Sequence, residues 1–240
     1  MNIKMQLQKA LLAQPYQYRS TIRVLKNITK VNEAFGLLNS KKRSYTLEEH
    51  TIMVCELFES FFANKYNCQE FNINCFRLLL CLHDIGKPFS LQYDDKEHQW
   101  NYTVQLITDN ANSLPLSNKE LSIVIAILSD DPLGLYIRSK IEYEEALARL
   151  SVMINKSTLS ISKFMKLLII YYQVDSGAYT RQAYIGPIEE FIEKPKLEAI
   201  FEKDDKGSFV YICDENRLLF TPNTEAKLHK IKKGLGVVNG

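Results

Sequence analysis

Apolar residues recur at helical spacing along most of the chain, and breaks in that spacing mark the elements. Residues 1–43 carry helical patterning, interrupted near Pro15 and again around Gly36. At Thr46 a capping box opens a helix, with Glu49 three residues on to return the hydrogen bond. Its apolar face runs Leu47, His50, Val54, Leu57, Phe58 and Phe61. The next helix, over about 73–85, carries Phe76, Leu79, Leu80 and His83 on one face and ends at Gly86, where a residue without Cβ turns the chain. A polar loop at 93–97 leads into a helix through Leu106, and another helix spans 118–128 with Leu121, Ile125 and Leu128 inward. Two further helices read over 142–153 and 161–174; the apolar face of the second (Phe164, Leu167, Leu168, Tyr171, Tyr172) delivers Asp175 at its end. Past Pro195 the period changes: 208–213 and 218–221 are β-prone runs around Asp214-Glu215-Asn216, a small hairpin, followed by a short basic helix at 227–233 with a solvated His229. The expected fold is all-α with a small C-terminal β-hairpin appendage. Residues 1–194 form a helical domain with an N-terminal helical extension, and 195–240 an appendage packed on it.

Composition narrows this little. With 46% hydrophobic residues, 240 residues can bury a sizeable core, and 30 basic against 28 acidic residues neither demand nor exclude a nucleic-acid partner. The five cysteines form no CxxC pair, and three sit inside apolar helical patterns, as reduced structural thiols do. No early apolar run resembles a signal peptide, and the most apolar late segment, 167–172, is far too short to span a bilayer. The expectation is a soluble, cytoplasmic protein with no membrane partner.

Chemistry concentrates at 78–88, LLLCLHDIGKP, where an apolar run delivers His83-Asp84 and stops at Gly86 and Pro88. An imidazole and a carboxylate side by side at a buried helix end make a metal-ligand pair, and a cation is the simplest way to bury both. His50, alone on an apolar face, reads either as a satisfied core histidine or as a further ligand. Lys87 is placed to meet an anion held by the metal, or to complement a helix dipole. His98 reads as a second-metal or substrate contact or as a surface histidine, and Trp100 and Tyr102 as base-stacking rings or core filler. Asp130, with Asp131 in Ser-Asp-Asp-Pro-Leu-Gly, suits an extension of metal coordination, proton transfer or ordinary turn chemistry. Asp175 is the carboxylate chosen to complete the set. The small-residue turn after it brings Arg181, either to grip phosphate oxygens or to lie on the surface. The basic residues of 1–43 are a solvated face or a phosphate-attracting entrance.

His50, then His83-Asp84 33 residues later, then the distant Asp175 resemble the H…HD…D signature of the HD-domain metal-dependent phosphohydrolases, in an HDIGKP form, over roughly residues 44–181. The resemblance implies an HD-type helical bundle in which His50, His83, Asp84 and Asp175 hold one divalent ion (Mn, Mg, Fe, Co, Ni or Zn). A metal-activated water would cleave a phosphate ester of a nucleotide, another phosphorylated small molecule or a nucleic-acid end. Lys87 and Arg181 would contact the phosphate, and Asp84, Lys87 and Asp130 would serve catalysis. Between the HD pair and Asp175 the only histidine is His98, so a mononuclear site is expected over the histidine-rich two-metal branch, and a di-iron oxygenase ranks last. The HDxxED and GYP forms of two other branches are absent. The alternative to hydrolysis is a non-hydrolytic HD-type module holding metal or nucleotide as a regulatory signal.

Overall fold

The structure, a computed structural model, describes residues 2–39, 45–95, 98–182, 210–214 and 217–237, with side chains described at all of these but 180–182 and 210–214. Several sequence expectations fall outside these residues: Lys41, Lys42 and Arg43, the loop positions 96–97, the hairpin turn at 215–216 and the Arg181 side chain.

In chain order the elements are α1 (Ile3–Leu12), α2 (Tyr18–Leu25), α3 (Thr29–Gly36), α4 (Leu47–Phe61), α5 (Ile73–Leu82), α6 (Lys87–Gln92), α7 (Gln99–Asp109), α8 (Asn118–Leu128), α9 (Pro132–Ile137), α10 (Tyr143–Ser157), α11 (Ile161–Gln182), β1 (Val210–Asp214), β2 (Arg217–Phe220) and α12 (Pro222–Gly234). The fold is all-α with a two-stranded hairpin. No helix among the described residues is long and apolar enough to cross a membrane. Two compact units divide the chain. Met1–Cys55, Asn67–Asp131 and Val152–Leu159 form the first, and Glu56–Tyr66, Pro132–Ser151 and Ser160–Gly240 the second.

The first unit is built around α5. Cys75, Phe76 and every residue from Leu78 to Leu82 are buried, so this helix is apolar around most of its circumference and belongs at a centre rather than on a surface. Asn72 starts it, its Oδ1 accepting from the backbone N–H of Asn74 and Cys75. α4 opens on the expected capping box: Glu49 Oε2 accepts from Thr46 N at 2.6 Å, and Thr46 Oγ1 from Glu49 N at 3.2 Å. Its predicted apolar face is buried throughout, His50 included. Cys55 and Cys81 meet across α4 and α5 with sulfurs 3.8 Å apart, as buried thiols without a disulfide.

Several local expectations are revised here. α5 stops at Leu82, with His83 as its C-cap, rather than running to Ile85. The chain turns over 83–86 as expected, but the φ of Gly86, −87°, suits any residue, so the turn itself does not require glycine. Pro88, expected to stop a helix, sits instead in the first turn of one, where its missing N–H has no intrahelical partner to lose. In α8 the buried face is Ile123, Val124, Ile127 and Leu128 rather than Leu121 and Ile125, since the apolar run is nearly continuous and does not mark its own inward side.

In the second unit, β1 and β2 pair antiparallel with Val210 opposite Phe220 and Ile212 opposite Leu218, and a register irregularity lies between Ile212 and Asp214. The hairpin rests on α11: Gln173 Nε2 donates to Leu218 O at 3.0 Å, and Tyr172 stacks on Phe220. α12 is more than a solvated tail. Lys227 Nζ donates to Ile137 O at 2.7 Å and to Ser139 Oγ at 2.8 Å, satisfying a carbonyl at the end of α9, while His229 is exposed as expected. The segment Ser176–Arg181, read as a small-residue turn, is helix, because α11 continues to Gln182. Its small residues admit neighbours instead. A Cβ on Gly177 would stand 3.0 Å from Leu57 Cδ1 and 3.2 Å from Leu218 Cδ2.

Candidate metal centre

The end of α5 sets the centre. Because the helix is buried on nearly all sides, the two residues that follow it are delivered into the interior: His83 is 3% exposed. His83 Nδ1 lies 2.7 Å from Leu80 O, and a carbonyl can only accept, so Nδ1 carries the proton. Nε2 therefore presents a lone pair, and it faces Asp84 Oδ2 at 3.8 Å. From α4, His50 Nε2 approaches the same oxygen at 3.9 Å, and the two imidazole rings lie 5.2 Å apart, tilted by 52°.

This donor set fits a divalent metal. With bonds of about 2.1 Å, neighbouring ligands of a tetrahedral or octahedral ion stand about 3.0 to 3.4 Å apart. The two histidine–carboxylate separations exceed that by less than 1 Å, a gap that small side-chain rotations close. Two imidazoles and a carboxylate suit first-row divalent ions, and the Leu80 carbonyl supplies the outer hydrogen bond that orients one imidazole. His50, His83 and Asp84 form a group that can hold a metal ion.

Lys87 enters the same focus. Its Nζ donates to Asp84 Oδ2 at 2.6 Å, with both side chains largely buried. A charge-assisted bond so placed puts a positive group beside whatever the carboxylate holds. The turn carrying these residues is clamped from outside: Gly86 N donates to Thr103 Oγ1 at 3.1 Å, and a Cβ on Gly86 would lie 2.0 Å from Thr103 N and 2.4 Å from Tyr102 C. Gly86 is needed for this backbone approach to α7, and not for its dihedral angles.

Family, curated-protein and solved-structure comparisons yield no match.

The remaining residues singled out in the sequence have the following surroundings. His98, at the start of α7, is exposed, with Nδ1 2.5 Å from Asp95 Oδ1; Tyr102 donates its hydroxyl to the other oxygen of Asp95 at 3.3 Å. Partial desolvation and then the Asp95 charge push the Tyr102 phenol above its ordinary range, so it stays a donor. Asp130 turns back on its own chain, its Oδ1 accepting from Asp131 N at 2.8 Å, which is the ordinary turn chemistry weighed for it. Asp175 belongs to the second unit. It sits half-buried inside α11, seven residues before its end and not at a helix terminus as expected. Arg181 lies on the last turn of the same helix. Trp100 is half-buried.

Sequence reasoning passed over Asp95 and Tyr93, assigning both to a polar loop. Asp95 stands three residues before His98, and Tyr93 stacks on Tyr102 with ring centroids 6.1 Å apart and planes within 13°. The available signal was that aspartate–histidine spacing, flanked by tyrosines on either side.

Proposed function

We propose that the chain is a metal-dependent phosphohydrolase of the HD type, cleaving a phosphate ester of a nucleotide or nucleic-acid end. One observation carries this reading: two imidazole nitrogens and the Lys87 ammonium all converge on Asp84 Oδ2. Nitrogen and oxygen donors for a cation, with a lysine at their edge, are what metal-assisted attack on a phosphate needs. His50, His83 and Asp84 hold the ion, and Asp175 is taken as the fourth ligand in this reading on its place in the sequence. The H…HD…D order of the sequence supports its inclusion.

When bound, the ion supplies Lewis acidity and a water acidified toward hydroxide. The protein's own residues do the rest. His83 is kept in the ligating tautomer by Leu80 O. Lys87 shifts from Asp84 toward a substrate phosphate oxygen and offsets the charge gathered there. Arg181 keeps only its sequence assignment to phosphate contact, and His98, held by Asp95, is assigned to proton transfer at the leaving group.

The Lys87–Asp84 pair also favours the second reading, a non-hydrolytic regulatory module, because an ammonium already neutralises the carboxylate that a metal would use. A single experiment separates the two. Purified protein reconstituted with Mn, Fe, Co, Ni, Zn or Mg is offered nucleotides, cyclic nucleotides and model phosphodiesters. Release of phosphate or mononucleotide, lost in His83→Ala, supports hydrolysis. Tight metal or nucleotide binding without turnover supports the regulatory module.

A further inference from the structure

Beside the metal centre, and within the same unit, lies an aromatic surface that the chemistry above does not use. Tyr93, at the C-cap of α6, is 70% exposed, more than any other large hydrophobic side chain among the described residues. An isolated surface tyrosine would need no explanation. This one is held. Its ring lies nearly parallel to that of Tyr102, and the Tyr102 hydroxyl is tied to Asp95, which in turn engages His98. Tyr102 is itself fixed to the HD turn, because its carbonyl carbon and the Thr103 nitrogen press on Gly86, two residues after Asp84. The exposed face of Tyr93 is thereby held in register with the metal ligands through backbone contact.

Charge lies along the same edge. Lys30 of α3 places its Nζ 5.5 Å from the centre of the Phe89 ring on α6. Its side chain is 63% exposed and paired with Glu33 at the surface, an arrangement that is easily exchanged for a phosphate. α6 runs from Lys87 to Gln92. At 1.5 Å per residue the six steps from Lys87 to Tyr93 put their Cα atoms about 9 Å apart. A separation of that order matches the reach of a nucleotide from its phosphate to its base.

We propose that Tyr93, backed by Tyr102, is a nucleobase-stacking platform, so that the substrate class of the centre is a nucleotide or a single-stranded nucleic-acid end and not a phosphorylated sugar or other ester without a base. A planar base gains most from an exposed, rigid aromatic face, and such stacking tolerates any base. Lys30 takes an adjoining phosphate where the ligand has one. The proposal rests on the phosphohydrolase reading only for the position of the phosphate at Lys87.

The test is equilibrium binding to the full-length chain without added metal, read by tyrosine fluorescence and calorimetry, with AMP, CMP and ribose 5-phosphate as probes. Both nucleotides are expected to bind more tightly than ribose 5-phosphate. Tyr93→Ala is expected to weaken AMP and CMP by about tenfold or more and to leave ribose 5-phosphate unchanged, while Tyr93→Trp restores nucleotide binding. Lys87→Ala is expected to weaken all three. At 70% exposure Tyr93 can be truncated without unfolding the unit, and a thermal melt verifies this. Equal affinity for AMP and ribose 5-phosphate, no nucleotide binding, or AMP binding indifferent to Tyr93→Ala overturns the platform. Tyr93-dependent binding with no hydrolysis under any metal leaves the platform standing and removes the phosphohydrolase reading. Hydrolysis with no preference for a base does the reverse.

Discussion

Gly86→Ala is the substitution whose consequence can be worked furthest from the structure. Its φ of −87° is open to alanine, so no dihedral strain arises, and the whole effect is steric. The new methyl would stand 2.0 Å from Thr103 N, 2.4 Å from Tyr102 C and 2.7 Å from Thr103 Cα, all backbone atoms that no side-chain rotation can clear. Relief requires α7 and the HD turn to separate by more than 1 Å, which stretches the Gly86 N–Thr103 Oγ1 bond past its useful range. Overpacking of this kind costs about 1 to 3 kcal/mol, and the lost hydrogen bond about 1 more. For a chain of this length, that lowers the melting temperature by about 4 to 16 °C. The control is Gly36→Ala, where a Cβ meets nothing within 4 Å and alanine's better helix propensity adds up to about 1 kcal/mol. Chemical and thermal denaturation of both variants, followed by circular dichroism, gives the comparison. Metal titration of folded Gly86→Ala should also show weakened binding, since Asp84 is two residues away. Equal stability of the two variants would refute the close approach of α7 and the registration of the site that depends on it.

Other perturbations reach the site and its supports. His83→Ala and Asp84→Asn should each abolish tight metal binding, measured by calorimetry, while far-UV circular dichroism stays near that of the parent; metal affinity retained in either variant would remove that residue from the ligand set. Lys87→Ala should reduce kcat/KM for a phosphorylated substrate by about 1 to 3 kcal/mol if its ammonium meets the phosphate, and unchanged steady-state kinetics would return it to a purely local role at Asp84. Thr46→Ala should destabilise the start of α4 by about 1 kcal/mol through loss of the capping box, read as a lower denaturation midpoint. Glu120 supplies a pH dependence: burial works against its carboxylate, but hydrogen bonds from Cys75 and Ser117 outweigh it and hold the group below its ordinary 4.5. A depressed folded-state value means stability that is present above that ordinary value and lost as pH falls through the lower one, so Glu120→Gln should be less stable than the parent at neutral pH and converge with it in acid. A constant difference across that range would contradict the assignment.

How much of this was legible in the sequence depended on what each signal measures. Periodicity reports which face of a helix is inward, and it placed His50 correctly among Leu47, Val54 and Phe58, all of which are buried. It fails where a run is apolar on every side, as in α8, and it is weak on where a helix stops. α5 yields at His83, whose imidazole meets Leu80 O three residues back, a local side-chain contact that apolar spacing does not encode. Glycine was read as a turn former at Gly86 and Gly177, yet Gly177 lies inside α11, and at Gly86, which does lie in a turn, the need is for the close approach of another element; sequence alone does not distinguish the two uses. Asp175 was expected at a terminus because small residues follow it, and those residues prove to be the helix surface that admits Leu57 and Leu218. The adjacent pair His83-Asp84 was found because its two donors are neighbours in the chain. The group formed by Tyr93, Asp95, His98 and Tyr102 was missed because a polar loop brings it together, and each member alone looks like ordinary surface. Local motifs expose what one helix end can hold. Donors assembled across a loop become visible only when the backbone that clamps them, here Tyr102–Thr103 against Gly86, is in place.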